Sequence, residues 1–583
     1  MSTLELDNFP MEGLASFIVE QWDEKKSNRH TWEAEKQELR NYVFATDTSK
    51  TSNSSLPWRN STTIPKICQI RDNLHANYIS ALFPNDDWLK WEGYGIDDET
   101  QEKKSAIQAY MSNKVREDNM RSVISSLLYD YIDYGVVIAD CVWVNETKQD
   151  PDSGESIPGY VGPRAIRRSP LDEVFDPTAL TYEHSWKISR TIKHFGTLEL
   201  EYKDTGDETA KKALAEAKNA RSHLTNWSRD DVKKAEGYSV DGFGDYYTYL
   251  KSGFVEILEF TGTINDPDTG EMLDDYIVTV IDRTKVLRKA PIPAWKRNGH
   301  RVFTSWRKRP DNLYGMGPLD NLVGMQYRLD HLQNIAADAR DLTIMPPLKV
   351  RGELQEDSQW GPFARFQMDE DGDVAPLFTG VNLQAAEAEM AFLMNMMEEA
   401  AGAPKQAMGI RTPGEKTAFE VGALENAAGR IFQEKVTQFE IYVLEPLLNN
   451  MLELSVRNMS GGDVIRVMDD DLGVADFLSI TKEDITAKGK LRPVGARHFA
   501  QQAQTVQNLI NLANTPVWPD VKQHISGKQL AKLFEDLLNV KRYDLYGDNR
   551  GLMEQMDTQR LMNAGQESIE AEAMTPIEGE EPL

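Results

Sequence analysis

The chain has 583 residues, 65 Lys+Arg against 93 Asp+Glu, a formal net charge of −28 and 40% hydrophobic residues. That length outruns a single core and predicts two to four sub-domains, while the acidity argues against a general nucleic-acid binder held by phosphate neutralisation. No apolar run approaches the ~20 residues of a membrane span, no charged-then-apolar leader opens the sequence, and two cysteines, Cys68 and Cys141, point to free thiols in a reducing compartment, with one disulfide as the alternative.

From the start, Glu12 to Tyr42 reads as a polar helix anchored by Phe17, Trp22 and Trp32. Thr46 to Trp58 is Ser/Thr/Asn-rich and predicts a loop. Ile67, Ile70, Leu74, Tyr78, Ile79 and Leu82 fall at helical spacing, and Gln101 to Tyr134 predicts a long amphipathic helix or a broken pair. After Gly135 the sequence turns strand-like: Val136 to Val144, Tyr160 to Ile166, Trp186 to Ile192, Phe254 to Thr263 and Tyr276 to Ile281, with a charged helical insertion over Asp207 to Arg221. Two near-identical turns, Asp150 to Glu155 and Asp266 to Glu271, suggest either a duplicated unit or the same hairpin chemistry used twice, Pro fixing φ and Gly supplying the left-handed position. Neither turn fits a calcium loop, because the glycine comes one position early and the terminal Glu is missing.

Between Arg283 and Pro310 lie ten Lys/Arg (Arg283, Lys285, Arg288, Lys289, Lys296, Arg297, Arg301, Arg307, Lys308, Arg309) and no acid. The stretch is either a patch for DNA phosphate or an acidic partner, or a set of strands whose outward faces pair with acidic surfaces of the same assembly. Trp295 and Trp306 do not make it a base-stacking platform, since no regular aromatic interleaving accompanies the charge.

Tyr314-Gly315-Met316-Gly317-Pro318 opens the stretch around which the chain is organised. A helix follows from Pro318 to Leu342, about 37 Å long, with Leu322, Met325, Leu329, Leu332, Ala336 and Ala339 as a heptad seam and Arg328, Asp330, Asp338 and Arg340 turned elsewhere. Pro346-Pro347 ends it. After a compact strand-and-turn insert, Ala386, Met390, Leu393, Met397 and Ala400 form a second seam. These two stripes predict a helical hairpin that must bury itself against neighbours. The methionines there (Met390, Met394, Met396, Met397) read as core filling or as a packing surface that readjusts.

Gly409 to Thr417 looks like a phosphate-binding loop until Glu415 is found where that pattern demands Lys. Thr417-Ala418-Phe419-Glu420 is a capping box opening a third helix, in which Val421, Leu424, Ala428, Ile431, Phe432, Val436, Phe439, Val443 and Leu447 form one face and Pro446 predicts a kink or break. The nine histidines show no metal-ligand spacing and no Gly-x-Ser-x-Gly elbow appears. We therefore expect no enzyme, no cofactor and no metal. His498 to Asn514 and Gly527 to Leu538 carry helical signals, and Gln566 to Leu583 is an acidic tail that reads as disordered.

The order Tyr-Gly-Met-Gly-Pro, helix, Pro-led β insert, helix, Thr-Pro-Gly-Glu-Lys-Thr loop and long helix resembles the core of tailed-bacteriophage portal proteins, the head-to-tail connectors, most like those of short-tailed phages. Pro170-Leu171-Asp172-Glu173-Val174-Phe175-Asp176-Pro177 is similar to part of that family's wing. The resemblance covers Asn60 to Met459 and implies an α+β, portal-like ring subunit: a mixed wing over 1–313, stem helices over 314–344 and 383–401, a small β-containing clip over 345–382, and a tunnel loop over 402–416. A long wing helix and return segment would fill 417–491, a helical crown 492–565 and the tail 566–583.

It implies stem-seam residues Leu322, Met325, Leu329, Leu332, Met390, Leu393 and Met397, clip residues Lys349, Arg351, Trp360 and Arg365, and tunnel-loop cations Lys405, Arg411 and Lys416. The implied function is a channel for double-stranded DNA at one capsid vertex of the virion, the subunits being made in the host cytoplasm. Its implied partners are further copies of itself in a ring, dodecameric in most members, the large terminase, the major capsid protein and scaffold, and tail adaptor proteins; no membrane is involved. Rival readings are another structural virion protein, such as a scaffold, and a nuclease with an unrecognised carboxylate site.

Overall fold

The computed structural model describes residues 13–44, 51–55, 60–83, 88–93, 98–149, 156–203, 208–220, 254–344 except 268 and 298, 348–351, 373–376, 383–402, 431–459, 463–469, 474–486 and 489–493. The chain is mixed α and β and divides into two units. One comprises Met1–Gly462 with Thr481–Gly495, the other Asp463–Ile480 with Ala496–Leu583.

In the larger unit the polar N-terminal helix is two helices, α1 (Gly13–Asn28) and α2 (His30–Phe44). Next come α3 (Lys66–Leu82), strand β1 (Leu89–Gly93), α4 (Asp98–Glu117) and α5 (Met120–Asp133). The long amphipathic stretch is thus a broken pair, interrupted at Asn119, whose φ of +50° suits a short polar side chain. Strand β2 (Val136–Gln149) pairs antiparallel with β3 (Ser156–Arg168). Val136, Val137, Ile138 and Ala139 are all fully buried, so this run is covered on both faces instead of alternating.

The short strand β4 (Glu173–Phe175) and β5 (Lys187–His194) lead to α6 (Phe195–Lys203), α7 (Glu208–Ala220), β6 (Phe254–Asn265), β7 (Met272–Ile281) and β8 (Lys285–Pro291). They form a five-stranded antiparallel sheet in the order β4-β5-β6-β7-β8. Its alternation is two-sided: Leu258, Phe260, Val278 and Val280 pack under Phe17, Ile18 and Trp22 of α1, while Val255, Ile257 and Ile281 pack under Leu198, Ala210, Leu214 and Ala217. The charged insertion is therefore the cover of one sheet face. At the Asp266 to Glu271 turn, Gly270 has φ +70° and its N–H donates to Asp266 O at 2.8 Å, hairpin chemistry as predicted. The matching Asp150 to Glu155 turn lies outside the described residues.

Strand β9 (Val302–Ser305) adds to β2, giving the order β3-β2-β9, and β10 (Arg307–Arg309) pairs with β11 (Asn312–Met316). Helix α8 (Val323–Ile344) starts later than the sequence suggests, after a 3-10 turn at Asp320–Leu322 in which Asp320 Oδ2 accepts the Gly317 N–H at 2.8 Å. Strands β12 (Leu348–Arg351) and β13 (Asp373–Pro376) pair antiparallel before α9 (Gln384–Ala400).

The third helix is described from residue 431. Pro446 neither breaks nor ends it: a π turn at Glu440–Leu444 precedes α10 (Glu445–Asn458), and Pro446 lies in the first turn of that helix. Proline has no N–H to donate and its ring crowds the carbonyl four residues back, and the wider π turn accommodates both. Helix α11 (Lys482–Ile485) and strand β16 (Gly489–Pro493), which pairs with β1, complete this unit. Residues 492 and 493 thus belong to a strand beside β1, although the implied crown begins at 492. In the smaller unit the described residues are one antiparallel ribbon, β14 (Asp463–Asp469) with β15 (Val474–Ile480).

The two glycines of Tyr314-Gly315-Met316-Gly317-Pro318 have a steric cause. A Cβ on Gly317 would lie 2.6 Å from Ile132 O, one on Gly315 would overlap Ser305, and one on Gly135 (φ +68°) would overlap the backbone of Met316 and Gly317. Gly135→Ala combines that overlap with a left-handed φ, so it should destabilise this unit by about 3 kcal/mol or more; a urea-unfolding midpoint equal to wild type would contradict the close-approach argument.

Candidate functional site

Helix α8 carries three different faces. One is the seam. Leu322, Leu329, Leu332, Met390 and Met397 are buried within the single chain, and Met325 and Leu393 are half-buried. The expected need of this seam for neighbouring copies is therefore not what the hairpin presents: α9 returns alongside α8 and closes most of the stripe itself. Arg328 to Glu389 and Arg340 to Glu387, both at 2.9 Å, staple the pair at its exposed edge, each worth at most about 1 kcal/mol in water.

The second face is a polar ladder, off the seam, that includes Asp330 and Asp338. Gln326, Asp330 and Asn334 are fully buried, and with Asp338 and Asp341 they grip residues 60–64. Asp338 Oδ1 accepts from Asn60 N at 3.1 Å and from Asn60 Nδ2 at 2.6 Å. Asn334 accepts the Thr62 N–H at 3.0 Å and donates to Thr62 O at 3.1 Å, and Asp330 accepts the Ile64 N–H at 2.9 Å while Gln326 donates to Ile64 O at 2.7 Å. Two residues of extended chain advance about 6.6 Å and four of helix about 6.0 Å, so Asn60, Thr62 and Ile64 stay in step with residues 338, 334 and 330. The sequence held a signal for this: four short or amide-bearing polar residues at i, i+4, i+8 and i+12, three of them poor helix formers, placed where a solvated face would carry Lys or Glu.

The third face is apolar and uncovered. Ile335 is 44% and Leu342 42% exposed on α8, and Phe392 is 61% and Met396 38% exposed on α9. These pairs sit seven and four residues apart, on one side of each helix. Beyond the hairpin, Lys66 and Glu398 pair at 2.5 Å, both buried, which ties α9 to the start of α3, and Lys36 pairs with Asp320, which ties α2 to the entrance of α8.

Of the expected clip residues, Lys349 and Arg351 are exposed on β12, opposite Ala375 and Asp373. Trp360 and Arg365 lie outside the described residues, as do the loop cations Lys405, Arg411 and Lys416, the Gly409 to Thr417 stretch, the Thr417 capping box, the two C-terminal helical signals and the acidic tail. Both cysteines are free thiols. No helix among the described residues is long and apolar enough to cross a membrane.

Five of the ten cations of the basic stretch meet carboxylates among the described residues. Arg283 meets Glu256 at 2.7 Å and Asp23 at 2.9 Å, Lys285 meets Glu216, Lys289 meets Asp266, and Arg297 meets Asp274. Arg301 is buried among Glu259 at 2.8 Å, Glu173 at 3.5 Å and Asp140 at 3.6 Å. Glu173, from the Pro170 to Pro177 stretch, also accepts from Tyr182 and Ser189. Burial opposes the charge on Asp140, yet Arg168 and Arg301 hold its carboxyl below the ordinary range. In the same cluster burial, helped by the Arg301 charge, pushes the Lys187 ammonium down from 10.5 to about 7.

No protein-family model matches this chain, and no curated protein matches it.

Two outcomes follow from this geometry. Asp330→Ala strands the half-buried Ile64 N–H and should cost about 2 kcal/mol, against about 1 kcal/mol for the half-buried Asp338→Ala; urea midpoints equal to wild type for both variants would show that the ladder carries no stability. Because the folded protein binds fewer protons at Lys187 than the unfolded chain between about pH 7 and 10.5, stability should rise with pH across that window, and this contribution is lost as pH falls to 7. Lys187→Met should flatten the rise, as read from unfolding midpoints at pH 7, 8, 9 and 10.

Proposed function

We propose that this chain is the subunit of a portal ring, a homo-oligomer at one capsid vertex through which double-stranded DNA enters and later leaves. The observation that carries the reading is the uncovered apolar side of the α8–α9 hairpin. Ile335, Leu342, Phe392 and Met396 stand in water although the hairpin's own seam is closed, and apolar surface of that kind marks an interaction site. Each such side chain contributes about 1.5–3 kcal/mol when fully buried. A head-to-tail contact repeated around a rotation axis covers this side in every copy without leaving an end.

Two further features support the reading. The hairpin is interrupted by the short ribbon β12–β13, tied along α8 by the ladder and held at its base by the Lys66–Glu398 and Lys36–Asp320 pairs. The net charge of −28 suits a passage that repels the duplex from its wall. Within it, loop cations Lys405, Arg411 and Lys416 would give brief phosphate contacts and no deep trap. In this reading the chain hydrolyses nothing. A separate large terminase supplies the motor, Lys349 and Arg351 belong to the end that meets it and later the tail adaptors, and the outer body meets capsid and scaffold.

Electron microscopy of the purified protein tests this. Rings with a central hole are expected, and Ile335→Glu with Phe392→Glu should leave folded monomers with an unchanged circular dichroism spectrum. A wild-type protein that stays a compact monomer at high concentration, or rings that survive both substitutions, would refute it.

A further inference from the structure

Lys308 and Arg309, which no carboxylate among the described residues holds, share one place with Lys187 of β5. A cavity of about 630 Å³ is lined by Tyr182, Lys187, Phe303, Tyr442, Pro446 and Asn450 among others. Among the described residues six cations line it (Lys187, Lys296, Arg297, Arg301, Lys308, Arg309) against a single acid, Glu183. Arg297 and Arg301 are held by carboxylates, and Lys296 donates to Asn450 Oδ1 at 3.0 Å. Lys187, Lys308 and Arg309 meet no carboxylate within ion-pair distance among the described residues.

Lys187 is the informative one. It is 1% exposed and is the first residue of β5, yet no hydrogen-bond acceptor for its ammonium is found among the described residues. Its Nζ stands over the Tyr182 ring, 4.5 Å from the centroid. Tyr182 in turn stacks on Phe303 at 4.5 Å with an interplanar angle of 9°. A buried ammonium without an acceptor is costly unless something fills its donors. Opposite, Lys308 Nζ stands 4.0 Å over the Tyr442 ring, and Tyr442 belongs to the π turn at Glu440–Leu444, a distortion that recurs at binding sites.

We infer that this cavity binds a small organic phosphate, its phosphate on the Lys187 ammonium with Lys308 and Arg309 at the mouth, and its organic body against the Tyr182, Phe303 and Tyr442 rings. A phosphoryl group brings the acceptor oxygens that Lys187 lacks, and the volume falls in the range of small-molecule sites. A DNA duplex carries the same phosphate chemistry, but its rigid backbone cannot reach a lysine that is 1% exposed. The inference is independent of ring formation, which a separate surface governs.

The test is acetylation of the full-length protein with sulfo-N-hydroxysuccinimidyl acetate at pH 7.5, read by mass spectrometry at Lys187 with exposed Lys90 as internal control. Phenyl phosphate should slow labelling of Lys187 at least fivefold without affecting Lys90, inorganic phosphate should protect less, and calorimetric binding of phenyl phosphate should weaken about fivefold or more in the surface variant Lys308→Gln. Unchanged labelling of Lys187 in phenyl phosphate would overturn the inference. So would equal protection by a short DNA duplex, which would make the cavity a face for DNA, or binding unaffected by Lys308→Gln.

Discussion

The grip of α8 on residues 60–64 is the constraint on which the larger unit depends. Asn60, Thr62 and Ile64 belong to none of the described sheets, and backbone amides and carbonyls withdrawn from water must be satisfied somewhere. Here the side chains of one helix stand in for a strand: Gln326, Asp330, Asn334 and Asp338 supply the donors and acceptors a neighbouring strand would have offered. Because α3 begins two residues after the ladder ends and its first residue, Lys66, pairs with Glu398, the same contact sets the place of α3 and the tilt of α9.

The Gly135–Gly317 contact works at the other end of α8. There β2, α5 and the entry to α8 meet backbone to backbone, with Trp306 N donating to Gly135 O at 2.9 Å. Arg29 bridges the N-terminal helices to this junction through the carbonyls of Pro170 and Leu171 and the Tyr314 hydroxyl. A residue pattern that looks like a helix start is therefore the junction at which separate layers are pinned, and the helix proper begins only once Asp320 has accepted the Gly317 N–H.

Much of this was legible in the sequence. The strands from Val136 to Ile281, the Gly270 turn, the helix pair around Asn119 and the two-helix hairpin follow from periodicity and turn chemistry, which are local. What periodicity could not tell is which side of α8 faces what. Leu322 and Leu329 are apolar whether they meet their own chain or a copy, and Asp330 is charged whether it meets water or the Ile64 N–H. Those choices are made by segments more than 260 residues away in sequence, beyond any local window. The portal resemblance attached the need for neighbours to the seam of the α8–α9 hairpin, most of which is closed within the chain; the uncovered residues are Ile335, Leu342, Phe392 and Met396.

The π turn ahead of Pro446 has a consequence for the helix that follows. One residue more than an α turn is accommodated between 440 and 444, which advances the phase of everything after it by about 100°. Leu447, Leu448, Met451, Leu452 and Leu454 are buried in the helix that follows. Pro446 and the π turn thus belong together: a regular α turn would press the proline ring on the carbonyl of Tyr442, and the wider turn relieves that crowding.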